Sequence, residues 1–285
     1  MGRPPTGKRR FANRELRSMR HASICTAVFG MYGLVFVAPA AAQNMMQHVD
    51  LTSPEMTAAE MTRAEVEAVI AAATSAQPAD FTGKKLSGLD LSRLDLSGAL
   101  LRAARLNRTK LTDAKLDRAI LDQAWLLEAD LSRASLRGAN IFAAQMQRAK
   151  LDGADLSGAR IAADLTGASL VGAVLVGANL GADMKNQSMG LMRAVLKSAN
   201  LERAVLRDAD LSRVDLEFAS LRNADLTNAS LRGAALGGAN LTGATVAGAD
   251  FLAADLASAR LVAPIGLGAA KNFDKAQNIE RLLRE

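Results

Sequence analysis

The 285-residue chain is poor in the side chains that most often carry chemistry. It contains one cysteine, Cys25, and two histidines, His21 and His48. A lone thiol forms no disulfide within the chain, and a catalytic triad or metal site built on histidine would have no histidine beyond residue 48. Aromatic residues make up only 4% of the chain, so aliphatic side chains must fill most of its core. We therefore expect a protein without catalytic residues, cofactor or metal.

The excess of positive charge is confined to the N-terminal segment. The formal net charge is +6, but residues 1–42 hold seven of the basic side chains and only one acid. The remainder carries 28 of the 35 Lys and Arg residues and 28 of the 29 acids, which gives a net charge of zero. Charge therefore gives no reason to expect a nucleic-acid partner.

Residues 1–42 have the organisation of a secretory signal peptide. A basic stretch precedes an uncharged run from Ala22 to Ala42, which ends in three alanines before Gln43. We expect cleavage after Ala42 and a periplasmic or secreted bacterial protein. An uncleaved anchor is the alternative, because 21 uncharged residues are just long enough to span a bilayer. This segment would then be the only contact with a membrane. The sequence leaves open whether Met1 or Met19 is the start.

A leucine recurs at every fifth position of most of the chain, usually with alanine two residues before it. The register runs from Phe81 to Ile161, from Leu165 to Leu180 and from Leu191 to Leu261. On an α-helix a five-residue step drifts around the axis, and on a strand an odd period alternates faces. A constant period of five therefore predicts a backbone that turns once per repeat and directs every central side chain inward, as in a solenoid.

The repeated segments resemble the A(D/N)LxX unit of pentapeptide-repeat proteins. Examples are ADLSR at 129–133, ADLSG at 154–158, ADLTN at 224–228 and ANLTG at 239–243. The resemblance covers about residues 81–261 and implies an all-β fold, a right-handed quadrilateral β-helix with four repeats per coil. Some members of this family imitate DNA with an acidic rod and thereby protect DNA gyrase from quinolones. Residues 81–261 depart from that pattern, because they carry 23 bases against 19 acids.

Charged side chains alternate in sign at every fourth repeat. If four repeats make one coil, side chains in equivalent positions of successive coils are cross-strand neighbours, and opposite charges there would help to keep the register. Three columns show the pattern: Asp90, Lys110, Asp130 and Lys150; Arg93, Asp113 and Arg133; Arg108, Glu128 and Arg148.

Several apolar side chains occupy positions that should face solvent. Leu100, Ile120, Trp125, Leu127 and Phe142 fall near the junction of two faces, and Arg105 lies one coil before Trp125, where it could make a cation–π contact. A clustered exposed apolar patch usually marks an interaction site. We therefore predict that this patch binds an unidentified protein partner in the cell envelope. The alternatives are that these side chains are apolar residues tolerated on the surface, or that they pack beneath caps or loops.

Both ends of the repeat region predict caps. Residues 43–80 form an acidic linker with a helical signature at Ser53-Pro54 and a capping box from Thr62 to Glu65, so we expect a short helix over the first coil. Its acids would face basic side chains of the first coils. Residues 81–262 form the repeat region, with an irregular loop at 181–190. Residues 263–285 are expected to form a C-terminal capping helix, with homodimerisation through that helix as the alternative.

Overall fold

The computed structural model describes residues 50–182 and 192–285. The predicted signal peptide or anchor at 1–42 and most of the predicted loop at 181–190 lie outside these residues. Within the two described ranges, no helix combines the length and the apolar character needed to cross a bilayer.

Backbone pairing recurs with a constant offset of four repeats. Asp90 pairs in parallel with Lys110, which pairs with Asp130, and the same offset recurs along the chain. The bridges form four ladders, which we call faces 1 to 4 after their first residues. Parallel pairing at a constant offset places successive coils of one chain side by side, and an offset of 20 residues is the one that a coil of four repeats requires. The first residues of the four faces are Asp80, Lys85, Asp90 and Asp95.

The central side chains fill the interior. Every described residue of the five-residue register from Phe81 to Leu261 is buried. The alanines two positions earlier, such as Ala124, are buried beside them. Fully burying one leucine is worth about 1.5–3 kcal/mol, and no coil could bury its central side chains without the coils above and below it.

A tight turn follows each central residue. The amide of Ala104, for example, donates to the carbonyl oxygen of Leu101 at 3.1 Å, and Ala103 between them has a φ of 51°. Gly158 and Gly243 occupy the same turn position with φ values of 64° and 69°, as the permissive dihedrals of glycine allow. We call these turns corners.

The register departs from five residues at two places. Strand β1, Asn140–Gln145, pairs with the shorter strand β2, Arg160–Asp164, so one residue is lost. Lys150 consequently pairs with Ser169, one position before the Leu170 that the regular offset would give.

The second departure adds residues after Leu180. Asp164 pairs with Val195 rather than with position 184, where the regular offset would place its partner, so eleven residues are added. The amide of Ala194 donates to the carbonyl oxygen of Leu180 at 3.0 Å and thereby completes the corner. The next central residue is therefore Leu196. The predicted resumption of the register at Leu191 lies outside the described residues, and the register is present from Leu196 onward.

The N-terminal cap has the predicted helix. A short helix, α1, spans Pro54–Thr57, and α2 spans Arg63–Ala72. The predicted capping box is confirmed, because the amide of Thr62 donates to Glu65 Oε2 at 2.7 Å and the Thr62 side chain accepts from the Glu65 amide. Val66 is completely buried against the first coil.

Ion pairs hold the cap on the first coils, as the acidic composition of the linker predicted. Glu55 lies 2.6 Å from Lys85 and 3.3 Å from Arg105, and Glu60 lies 3.3 Å from Lys84. Arg63, the one base of residues 43–80, binds the edge of the first coil. It donates to the carbonyl oxygen of Asp90 at 2.8 Å and to that of Ser92 at 3.2 Å. In later coils the equivalent carbonyl oxygens accept hydrogen bonds from backbone amides of the preceding coil. The first coil has no preceding coil, so the Arg63 guanidinium takes the place of those amide donors.

The predicted capping helix at 263–285 is wrong. The chain instead adds a last coil whose bridges lie six residues apart, at Ile265, Lys271, Gln277 and Leu283. Three short 3₁₀ helices alternate with these bridges. The alternative of a homodimer through a C-terminal α-helix required an α-helix that this segment does not form. The 3₁₀ helices are Leu267–Ala269, Phe273–Lys275 and Ile279–Arg281.

Left-handed residues explain this difference. Gly266, Asn272 and Asn278 have φ values of 75°, 50° and 56°, and each interrupts an α-helix before it could form. The apolar residues of the segment, from Leu267 to Leu282, also recur every third position, which suits 3₁₀ turns rather than an amphipathic α-helix.

The role of Arg63 can be tested with Arg63→Met. The variant leaves two edge carbonyls without their donor, and we expect the free energy of local opening of the first coil to fall by about 1–3 kcal/mol. Amide hydrogen exchange should accelerate at Leu91 and Arg93 and stay unchanged beyond Leu196. Arg203→Met, which removes an exposed arginine on a later corner, is the control. Equal acceleration by the two variants would contradict the assignment.

Candidate protein-binding surface

Four of the five predicted patch residues lie along one edge of the stacked coils. Leu100 and Ile120 are paired neighbours on face 1, and Trp125 lies on face 2 of the same coil as Ile120. Phe142 lies at the corner between these faces in the next coil. All four are partly exposed, and we call Leu100, Ile120, Trp125 and Phe142 the edge patch. These four lie at the junction of two faces, and their role in binding a partner stays a prediction.

A cation stacks on the patch, although it is not the one predicted. Arg105 pairs with Trp125 in the backbone ladder as expected, but its guanidinium lies 3.3 Å from the carboxylate of Glu55. Arg160 instead places its guanidinium carbon 5.4 Å from the centre of the Phe142 ring. The predicted cation–π contact between Arg105 and Trp125 is therefore wrong.

Leu127 does not belong to the edge patch. It lies at the corner between faces 2 and 3, beneath the N-terminal segment, and is only 7% exposed. Its amide donates to Asn107 Oδ1 at 3.1 Å, and Asn107 Nδ2 donates to the carbonyl oxygen of Met56 at 3.0 Å. For Leu127 the alternative of packing beneath a cap is correct. Asn107, a corner residue with a buried amide that ties the cap to two coils, was not predicted from the sequence.

Both irregularities of the backbone occur at the corner that carries Phe142. The lost residue falls between Ile161 and Leu165, where Ala162 pairs with Phe142. One coil later, the eleven added residues fall at the same corner, between Leu180 and Ala194. Bulges and insertions in β structures concentrate beside functional sites, where they re-aim side chains. The apolar side chains, the stacked arginine and both backbone departures therefore share one corner.

The charge columns lie mainly on other parts of the surface. Glu128 accepts from Arg108 at 2.9 Å and from Arg148 at 2.6 Å, and Arg133 pairs with Asp113 at 2.8 Å. The predicted contact between opposite charges of successive coils is confirmed for these columns. The Arg108 hydrogen bond, followed by the charges of Arg108 and Arg148, lowers the pKa of Glu128 against the opposing effect of burial.

A second exposed aromatic residue was not singled out from the sequence. Phe218 is 63% exposed at a later corner between faces 2 and 3, with the Lys197 amine 5.7 Å from its ring centre. Its ring lies over Gly238, where an added Cβ would come within 2.6 Å of it. A phenylalanine at a corner position was the only available signal. Phe218 has no apolar group comparable to the edge patch on its own corner, since Ser198, Gly238 and Ser258 share its column.

Within residues 50–182 and 192–285, no group of three His, Cys, Asp or Glu side chains is arranged to hold a metal ion. Aspartates on the ladders instead accept from the backbone two residues further on, as Asp130 does from the Ser132 amide at 3.0 Å. These carboxylates serve the turns.

A family model described as pentapeptide repeats matches the chain in eight copies. The matched residues are 85–123, 119–158, 161–185, 191–228 and 234–262. No curated protein matches the chain.

The chain is similar to solved pentapeptide-repeat structures. One of them is HetL, a pentapeptide repeat protein involved in heterocyst differentiation regulation from the cyanobacterium Nostoc sp.. The two sequences are 30% identical and the TM-score is 0.55. The match covers 79% of this chain and 95% of HetL. Another is trypsin-treated QnrB1, a plasmid-mediated fluoroquinolone resistance protein, which is 18% identical with a TM-score of 0.38. The match covers 67% of this chain and 96% of QnrB1. The likeness to HetL supports a right-handed β-helix.

The Glu128 column predicts a pH dependence. A carboxylate whose pKa is lowered in the folded state stabilises the fold above its unfolded pKa of about 4.3, and this contribution is lost as the pH falls through the folded value. Glu128→Gln should therefore lower the urea midpoint at pH 7 and leave it nearly unchanged at about pH 2. Gln123→Asn, at an exposed corner position without an ion pair, is the control. A midpoint difference that persists unchanged at low pH would contradict this assignment.

Proposed function

Because the chain belongs to the pentapeptide-repeat family, we propose that it is a right-handed, four-sided β-helix that binds a protein partner and catalyses no reaction. The edge patch is the binding surface in this proposal. The signal-like segment at residues 1–42 supports an action in the cell envelope, in the periplasm or after secretion. The partner in the proposal is another envelope protein.

The composition of the edge patch is the observation that carries this proposal. Trp125 and Phe142 are the bulky aromatic side chains of a patch that also contains Leu100 and Ile120, and Arg160 stacks on Phe142. Tryptophan, tyrosine and arginine dominate the residues that carry binding energy in protein interfaces. Apolar surface removed from water contributes about 25 cal/mol per Å². A partner that covers this corner would therefore gain most of its affinity from a few neighbouring side chains.

The repetitive use of carboxylates supports a non-catalytic role. Asp130 and Asp155 each accept a backbone hydrogen bond from the residue two positions later, so they belong to the turn chemistry of the repeat. The two histidines, His21 and His48, precede the repeats. The histidines, the residues that most often act as a general base, therefore lie outside the repeats in sequence, and these two carboxylates are engaged in turns.

Site-specific crosslinking tests this proposal. A photoreactive phenylalanine analogue at position 142 should give a crosslinked species of defined mass in intact cells, and Trp125→Ser should abolish it. Position 218 is the matched control, because Phe218 is also a corner aromatic beneath a cation. Equal crosslinking from the two positions, or crosslinking at 142 that survives both Trp125→Ser and Ile120→Ser, would remove the edge patch as the binding surface.

Charge argues against the alternative of DNA mimicry at gyrase. The repeat region carries more bases than acids, 23 against 19, whereas a DNA mimic must present a negative surface. We expect no inhibition of gyrase supercoiling when purified protein is added at up to tenfold molar excess over the enzyme. An acidic pentapeptide-repeat protein serves as the positive control. Inhibition by this chain that matches the control would revive the alternative.

A further inference from the structure

A hollow of about 160 Å³ lies between the N-terminal segment and the corner of faces 2 and 3. Its floor is formed by Leu127 and Met56, which are 7% and 4% exposed. Leu51 and Gly88 also line it, and nothing lies within 4 Å of a Cβ added at Gly88. The hollow is separate from the edge patch. An engineered cavity of about 150 Å³ in another protein is large enough for benzene, so this one has room for a body of roughly six carbon atoms.

The interior of the hollow offers few unused polar groups. Asn107 uses its amide nitrogen on the Met56 carbonyl at 3.0 Å and its amide oxygen on the Leu127 amide at 3.1 Å. A ligand group placed on the floor would therefore compete with bonds that Asn107 already makes, and burying a polar group there would be unfavourable. The part of a ligand that enters the hollow must be apolar.

The mouth of the hollow has the opposite character. Arg108 and Arg148 lie on either side of Glu128, and their side chains are 68% and 66% exposed. Two arginines share one carboxylate, which leaves a net positive charge and several N–H donors pointing to solvent. Arginine pairs with carboxylates and phosphates in a geometry that adds strength as well as selectivity. The mouth therefore favours an anionic head group.

From these features we propose that the hollow binds a small amphipathic anion, with an apolar body of about six carbons and a carboxylate head. The body lies on Leu127 and Met56, and the head pairs with Arg108 and Arg148. The site joins the cap to the coils, so an occupied hollow also stabilises the N-terminal segment. This proposal does not depend on protein binding at the edge patch.

A matched series of probes tests the head group. Hexanoate, 1-hexanol and hexylammonium share one body, and each is titrated into the full chain while the amide resonances of Gly88 and Leu127 are followed by NMR. Hexanoate should bind with saturation, 1-hexanol more weakly, and hexylammonium weakest. Arg108→Gln combined with Arg148→Gln should weaken hexanoate at least about tenfold and leave 1-hexanol unchanged. Arg93→Gln with Arg133→Gln, at another corner, should change neither. Equal affinities for hexanoate and hexanol would overturn the anionic head.

Variants of Leu127 test the location. Leu127→Phe fills the hollow and should abolish hexanoate binding, whereas Leu127→Ala enlarges it and should shift the preference from hexanoate toward octanoate. The alanine variant decides the matter if the phenylalanine variant fails to fold. Trp125→Ser should leave hexanoate binding intact, which separates this site from the edge patch. Unchanged binding and unchanged chain-length preference in the Leu127 variants would overturn the site.

Discussion

The stacking of aliphatic side chains along the axis is the interaction on which the rest of this structure depends. Each coil contributes central residues such as Leu126 that no single coil could bury, and each is buried because the next coil covers it. The backbone ladders then follow at a fixed offset, because only that offset keeps every centre directed inward. The fold is therefore determined by neighbouring coils rather than by long helices or wide sheets.

Dependence on neighbours makes the two ends of the stack different from its middle. At the N-terminal end, Arg63 and Val66 supply the donor and the apolar cover that a preceding coil would have given. At the C-terminal end, the chain makes one more coil with sides one residue longer, and Phe273 packs edge-on against Phe251 at 5.3 Å. The first end is closed by a helix and the second by a change in the repeat itself.

The parts that could be predicted from the sequence are those that local chemistry repeats or fixes. The five-residue register required an inward axis, and the Thr62–Glu65 capping box required a helix start. The position of Leu127 could not be predicted, because its burial depends on a segment much earlier in the chain that Asn107 holds in place.

The C-terminal helix was expected because Ile279 and Leu282 suit either an α-helix or a 3₁₀ turn. Asn272 and Asn278, in left-handed conformations, decide between them. Arg105 was assigned to Trp125 for a similar reason, since the competing carboxylate of Glu55 lies far away in sequence.

The same constraint explains where this chain can vary. A residue lost or gained on a face would turn the following central side chains away from the axis, which would remove their burial along the stack. At a corner the change stays local: Asp164 pairs with Val195 after eleven added residues, and Val195 pairs with Asp215 at the ordinary offset of four repeats. Corners are therefore the places where sequence can change at little cost to the interior. Before the six-residue sides that begin after Ile265, both changes of length fall at one corner, beside Phe142 and Arg160. The same corner carries the edge patch, so the proposed binding surface coincides with the place where the backbone departs from the repeat.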